Sequence, residues 1–170
     1  MVKHIGNLLV GATTCRYDAA VSTDLTEEEL RAWQALLHAH DQTFRKLDSE
    51  LREEHGLHLG AYDVLLRLAR APERCLRMSD LADRVMLSPS GLTRMVDRLV
   101  EQGLVGRERF DGDARVMLAR LTEEGRRVLR AAARTHVRGI RAHFTGRLSP
   151  AQLRNVASAL ETVAGPHEPH

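Results

Sequence analysis

Leu87-Ser88-Pro89-Ser90-Gly91-Leu92-Thr93-Arg94-Met95-Val96-Asp97-Arg98-Leu99 is the stretch on which the reading of this chain turns. Serine followed by proline is a helix start. The hydroxyl satisfies an amide that has no intrahelical partner, and proline at the first helical position gives up an N–H that had no acceptor there. Leu92, Val96, Leu99 and Val100 then follow along a helix that stops at Gly103. At its N-terminal end stand Ser88, Ser90, Gly91, Thr93 and Arg94. Hydroxyls and amides at a helix start suit phosphate oxygens, glycine allows close backbone approach, and arginine can meet a guanine with two hydrogen bonds or a phosphate. Just upstream, residues 79–86 read as a shorter helix with Leu81, Ala82 and Val85 inside. Two short helices meeting at Val85-Met86-Leu87-Ser88 predict a helix-turn-helix whose second helix enters a major groove.

Further upstream, Thr26 and Glu29 have the spacing of a capping box. Leu30, Trp33, Leu37, His40, Phe44, Leu47 and Leu51 alternate three- and four-residue steps, a heptad seam on a long helix ending near His55-Gly56. Residues 60–70 predict a second helix with Tyr62, Leu65, Leu66 and Ala69 on one face, stopped by Pro72, and Leu76–Met78 a short strand. Downstream, two strand-like runs, Leu104–Arg109 and Val116–Leu121, flank Phe110-Asp111-Gly112-Asp113-Ala114, where Asp-Gly is a hairpin signal. Thr122 opens another long helix with Leu129, Ala133, Val137, Ile140 and Phe144 on its apolar face. Ser149-Pro150 starts a last helix carrying Leu153, Val156, Ala157, Leu160 and Val163.

The order α-α-β-α-α-β-β-α-α is that of a mainly α, winged helix-turn-helix fold with long terminal helices. Those helices carry more apolar surface than so small a core covers, which predicts a homodimer. The expected organisation is an N-terminal extension over 1–25 and a helical dimerisation region from 26–56 and 122–164. Residues 57–121 form a DNA-binding winged domain, and 165–170 a tail. In the hairpin, Arg107, Arg109 and Arg115 form a basic ribbon that could enter a minor groove, and Asp113 is placed to orient Arg115. A solvated polar turn is the alternative.

Composition narrows the function classes. Of 170 residues 43% are hydrophobic, enough for a sizeable core, yet no run approaches the length of a membrane span. The Leu8-Leu9-Val10 run is too short for a signal peptide, and two cysteines make no disulfide framework, so a cytoplasmic protein is expected. A net charge of +2 does not announce nucleic acid, but its distribution is uneven: residues 24–54 hold nine acids and four bases, and residues 120–147 eight arginines and two glutamates. No nucleophile–base pair, phosphate loop or metal motif is evident, so an enzyme is not expected, nor a cofactor. Of nine histidines, His136 and His143 share a helix face and His55 and His58 flank a turn, without zinc-ligand spacing.

The chain resembles the MarR family of bacterial transcription regulators. The residues that carry the resemblance are 79–84, 87–99, Gly103-Leu104-Val105, Asp111-Gly112-Asp113-Ala114-Arg115 and Leu121-Thr122-Glu123-Glu124-Gly125, within a span of about 26–164. The most specific parts are the recognition helix and the wing Asp-x-Arg. The resemblance implies a homodimer joined through its first and last helices, a palindromic operator in double-stranded DNA, and usually repression. It also implies release of DNA when a small ligand, often aromatic or anionic, binds between the dimer helices and the winged domain. It makes Arg115 the minor-groove arginine and Asp113 its partner. Arg77, where many members have a capping threonine, and the first 23 residues depart from the family pattern.

For the ligand, Asp63 and Arg107 match two polar positions of the family's urate-responsive subgroup, and Trp33 its tryptophan only loosely. Met95 stands where that subgroup has a second arginine, which argues against urate. Trp33 is also readable as dimer core, His40 as a core or ligand-facing histidine, and Tyr62 as core or cavity wall. A thiol switch is the alternative: Cys75 lies beside Arg74 and Arg77, which could lower its pKa, though it reads more simply as an incidental loop thiol, and Cys15 lies upstream of the first core helix. A helical interaction module without DNA binding is a third reading.

Overall fold

The structure, a computed structural model, describes residues 25–85, 88–110 and 113–165, with backbone alone at 89 and 113–115. The N-terminal extension with Cys15, the Asp111-Gly112 turn and the histidines of the tail lie outside the described residues. The chain divides into residues 1–37 and 38–170. In the first unit, residues 25–37 are the cap and opening turns of helix α1 (Glu27–His55). The capping box forms as its spacing demands: Thr26 N–H donates to Glu29 Oε2 at 2.7 Å, and Glu29 N–H donates to Thr26 Oγ1 at 3.2 Å. Leu25, Trp33, Leu36 and Leu37 are exposed.

The second unit builds the winged helix. Helix α2 (Leu59–Arg70), strand β1 (Cys75–Arg77), α3 (Met78–Arg84), α4 (Pro89–Glu101), β2 (Val105–Phe110), β3 (Asp113–Leu121), α5 (Glu123–His143) and α6 (Pro150–Ala164) follow the expected order. The three strands form an antiparallel sheet in the order β1-β3-β2. One core joins them. Leu51 of α1, Leu65 and Leu68 of α2, Leu81 of α3, and Leu92, Val96 and Leu99 of α4 are essentially inaccessible, as are Val105 and Ala119 of the sheet. The Leu92-Val96-Leu99 stripe is thus the inward face of α4, and Ser90, Thr93 and Arg94 are left on the exposed one.

The hairpin is longer than expected. Strand β2 continues to Phe110, β3 begins at Asp113 rather than Val116, and Phe110 pairs with Asp113 across an irregularity after Arg109. Asp113 and Ala114 are poor strand formers, but a ladder is held by backbone bonds that do not depend on side-chain preference.

The packed face of α5 also differs. Its buried residues are Gly125, Leu129, Ala132, Thr135 and Gly139, whereas Val137, expected on the apolar face, is exposed in the single chain. Small residues admit α1 closely: a Cβ on Gly139 would lie 2.6 Å from both Leu47 Cδ2 and Glu50 Oε2. Of the heptad seam on α1 only Leu47 and Leu51 are buried, and α6 has no buried residue at all.

Candidate functional site

Helix α4 owes its start to Ser88, whose Oγ accepts the Gly91 N–H at 3.2 Å. That amide, expected to be available to a phosphate, is spent on the cap. A Cβ on Gly91 would meet the same oxygen at 3.1 Å, so the glycine serves the cap geometry. Ser88 and Ser90 bring their hydroxyl oxygens to 3.4 Å of each other at the open end of the helix, with Thr93 and Arg94 on the same exposed surface.

The hairpin is braced to this helix by a contact that the linear sequence does not signal. Arg107, on β2, places Nη1 2.7 Å from Asp97 Oδ1, and its Nη2 donates to the Thr93 carbonyl at 3.4 Å. The arginine is three-quarters buried. Arg107, expected as a wing or ligand cation, thus joins the wing to α4 and lies off the cavity wall described below. Arg109 is exposed on the same strand, and the backbone of Asp113 and Arg115 lies in the facing one. On the other side of the hairpin Arg120 donates to Glu108 Oε1 at 2.6 Å and to the Glu73 carbonyl at 3.0 Å. Arg77 lies over the Phe110 ring, 5.4 Å from its centroid.

Cys75 sits within this second cluster, its Sγ 3.8 Å from Glu108 Oε1. Burial pushes its pKa up; Arg120 pulls the other way and Glu108 adds to the rise. The incidental thiol weighed against an activated one is the reading this favours: desolvation outweighs the cation that reaches the sulfur, which is Arg120.

Behind the helix-turn-helix, a cavity of about 910 Å³ opens between α1, α2 and α5. Phe44 and Leu47 of α1, Tyr62, Asp63 and Leu66 of α2, and His136, Ile140 and Phe144 of α5 line it, and so does Val85, beside the turn that leads into α4. Tyr62 and Asp63 are therefore brought together on its wall. His40 lies outside the wall but stacks on Phe44 with ring centroids 4.1 Å apart. Trp33 is on the exposed part of α1 in the first unit.

His136, which the sequence suggests only as a metal ligand, lies on this wall. Its ring lies 4.5 Å from that of Tyr62, and its Nδ1 is buried with no hydrogen-bond partner. Burial holds its pKa below the ordinary 6.5, against a smaller pull from Asp63. His58, at the start of α2, lies 3.4 Å from Asp48 of α1, and two other histidines join α1 to α5. His143 Nε2 lies 2.5 Å from Glu50 Oε1, and His55 Nε2 lies 2.8 Å from Thr135 Oγ1, which donates to Glu54. Arg138 also donates to Glu54. Among the described residues no group of three potential metal ligands gathers, and no helix is long and apolar enough to cross a membrane.

The MarR family model matches residues 55–116, from the end of α1 into strand β3. AbsC, a MarR family transcriptional regulator from Streptomyces coelicolor, is 34% identical and superposes with a TM-score of 0.77, over 84% of this chain and 96% of that one. A second Streptomyces coelicolor MarR family regulator, solved in complex with DNA, is 35% identical with a TM-score of 0.78, over 85% and 94%. The repressor MdtR of Bacillus subtilis is 33% identical over 85 residues, 48% of this chain and 54% of MdtR. With the helix-turn-helix, the braced hairpin and these near-full-length matches in hand, the chain belongs to the MarR family of transcriptional regulators.

Proposed function

We propose that this regulator binds a palindromic operator in double-stranded DNA as a homodimer, represses transcription from it, and lets go when a small organic molecule fills the cavity beside Tyr62. The observation that carries the reading is the exposed start of α4, where Ser88, Ser90, Thr93 and Arg94 crowd one surface beside a hairpin held to the same helix by Arg107 and Asp97. Each α4 enters a major groove with Gly91 at the point of closest backbone approach, the two copies about one helical turn (~34–36 Å) apart. Arg109 and Arg115 of the hairpin reach the adjacent minor groove, Asp113 orienting Arg115. Residues 26–56 and 122–164 form the dimerisation region, and 57–121 the DNA-binding domain. The DNA-bound Streptomyces relative supports the first element of this reading, and the repressor MdtR the second. Release follows from geometry: an occupant of the cavity touches α1, α2, α5 and Val85 together, and so changes the spacing of the two recognition helices.

Selection of genomic fragments by the purified protein, at fixed salt, tests it. The expected product is a short palindrome with half-sites one turn apart. Replacing Arg115 with alanine lowers affinity and flattens the slope of log K against log salt by about one unit. No enrichment from folded, dimeric protein would overturn the DNA-binding reading. The thiol-switch alternative loses support from the raised pKa of Cys75.

A further inference from the structure

We infer that Arg77, laid over the Phe110 ring, is a further DNA contact beside the hairpin, and that it grips a backbone phosphate on the wall of the minor groove rather than a base within it. The inference rests on the reading of α4 and the hairpin as the DNA-binding surface and adds a residue that lies outside both. Three observations carry it. The first is position. Phe110 pairs with Asp113 in the last rung before the hairpin turn, so its ring marks the tip. Arg77 belongs to β1, where it pairs with Leu118, level with Glu108 of β2. Its guanidinium nonetheless lies 5.4 Å from the centre of the Phe110 ring, so the side chain is carried along the sheet toward the tip.

The second observation is an unspent cation. Arg77 is exposed, and at the N-cap of α3 its side chain makes no cap hydrogen bond. Among the described residues no carboxylate pairs with it, whereas the arginines around it are neutralised, Arg74 by Glu123 at 3.5 Å and Arg120 by Glu108 at 2.6 Å. The third is Phe110 itself, 39% exposed at the end of an otherwise polar strand. A guanidinium over an aromatic face is held by it and keeps the N–H donors at its edge for an anion. Thickness decides between base and phosphate. The minor groove is about 6 Å wide, which a single extended arginine can enter. A guanidinium 5.4 Å from a ring centre, on the flank of a ribbon whose strands are ~4.8 Å apart, is too broad for it and stays at the rim, where the phosphates are. Arg77 is thus the contact and Phe110 a positioning residue.

The test measures affinity for the selected operator and for an unrelated duplex of equal length across a salt series. The proteins are the wild type, Arg77→Gln, Arg77→Lys, Phe110→Leu and Phe110→Tyr. Arg77→Gln is expected to weaken both duplexes alike, about tenfold, because a phosphate carries no sequence, and to flatten the salt slope by about one unit for each subunit engaged. Arg77→Lys keeps the slope. Phe110→Leu costs about threefold, one exposed cation–π contact, and adds almost nothing to Arg77→Gln, while Phe110→Tyr, which keeps the ring, binds as the wild type does. An unchanged slope in Arg77→Gln, with the wild type bound, would overturn the contact and leave the DNA-binding reading standing. A loss confined to the operator would make Arg77 a reader of bases and overturn the phosphate assignment. Equal losses in Phe110→Leu and Phe110→Tyr would remove the positioning role of the ring. If the folded wild type binds neither duplex, the inference and the DNA-binding reading fall together.

Discussion

A Cβ on Gly125 would lie 2.1 Å from the carbonyl oxygen of Leu104, a distance no side chain can occupy. The approach is held by Thr122, whose Oγ1 accepts the Gly125 N–H at 2.9 Å and lies 2.8 Å from the Gly103 carbonyl and 3.0 Å from that of Leu104. The Leu121-Thr122-x-x-Gly125 signature therefore has a physical content: a buried leucine, an N-cap that clasps the end of the α4 loop, and a glycine that lets α5 descend onto it. Gly125→Ala is expected to cost at least about 2–3 kcal/mol in urea unfolding, because backbone rather than a movable side chain blocks the methyl. Gly56→Ala, with φ +66° and open space around it, should cost only ~1 kcal/mol. Equal costs would mean that the Leu104 contact is soft. His136 gives a second test at this scale. Its pKa is depressed in the folded protein by burial, so the unfolded chain takes up the proton first. The contribution to stability is complete above about pH 6.5 and declines as pH falls below it. Chemical unfolding between pH 7 and 5 should show a shallower loss for His136→Phe than for the wild type; parallel curves would remove His136 from the account.

Between elements, the decisive contact is Arg107 with Asp97. A wing can insert reproducibly only if its base is fixed relative to the recognition helix, and this pair, with the added bond to the Thr93 carbonyl, ties β2 to α4. A double-mutant cycle with Asp97→Ala and Arg107→Ala should return a coupling energy of about 0.5–1 kcal/mol in unfolding, the size of a partly exposed pair. In operator binding the two single variants should lose similar affinity and the double variant little more, since either change frees the same joint. Additive losses in DNA binding would show that Arg107 touches DNA itself. The second cluster, Glu108 with Arg120 and the Glu73 carbonyl, anchors the far side of the hairpin to the turn before β1. The wing is thus held at both of its edges.

At the scale of the whole molecule, α6 is a fifteen-residue amphipathic helix with nothing buried, and Leu160 and Val163 are 41% and 83% exposed. An apolar stripe left in water on a well-formed helix is what a subunit interface requires. For the proposed homodimer, Leu160→Asp combined with Val163→Asp is expected to give a monomer in sedimentation analysis. It should also abolish the concentration dependence of Tm and reduce affinity for a palindromic site far more than for a single half-site. A doubly substituted protein that stayed dimeric would place the interface elsewhere.

The local devices were legible in the residues alone: the Thr26–Glu29 box, the Ser88-Pro89 and Ser149-Pro150 starts, the Leu92-Val96-Leu99 stripe and the Asp-Gly hairpin signal all concern neighbours within a turn or two. These suffice for the element order, and with it the winged fold and the exposed start of α4. Sequence decides less where long-range contacts rule. On α5 the apolar period names Val137, but within the chain the close approach of α1 turns Ala132, Thr135 and Gly139 inward. For Cys75 the neighbours in sequence, Arg74 and Arg77, left activation open, whereas burial and Glu108, thirty-three residues away, raise its pKa. Arg107 and His136 owe their roles to partners ten and seventy-four positions distant, Asp97 and Tyr62. Caps, turns and apolar stripes draw on interactions between near neighbours, so sequence determines them directly. Which polar atom is paired, buried or left open depends on segments that only folding brings together, and that the tertiary structure alone decides.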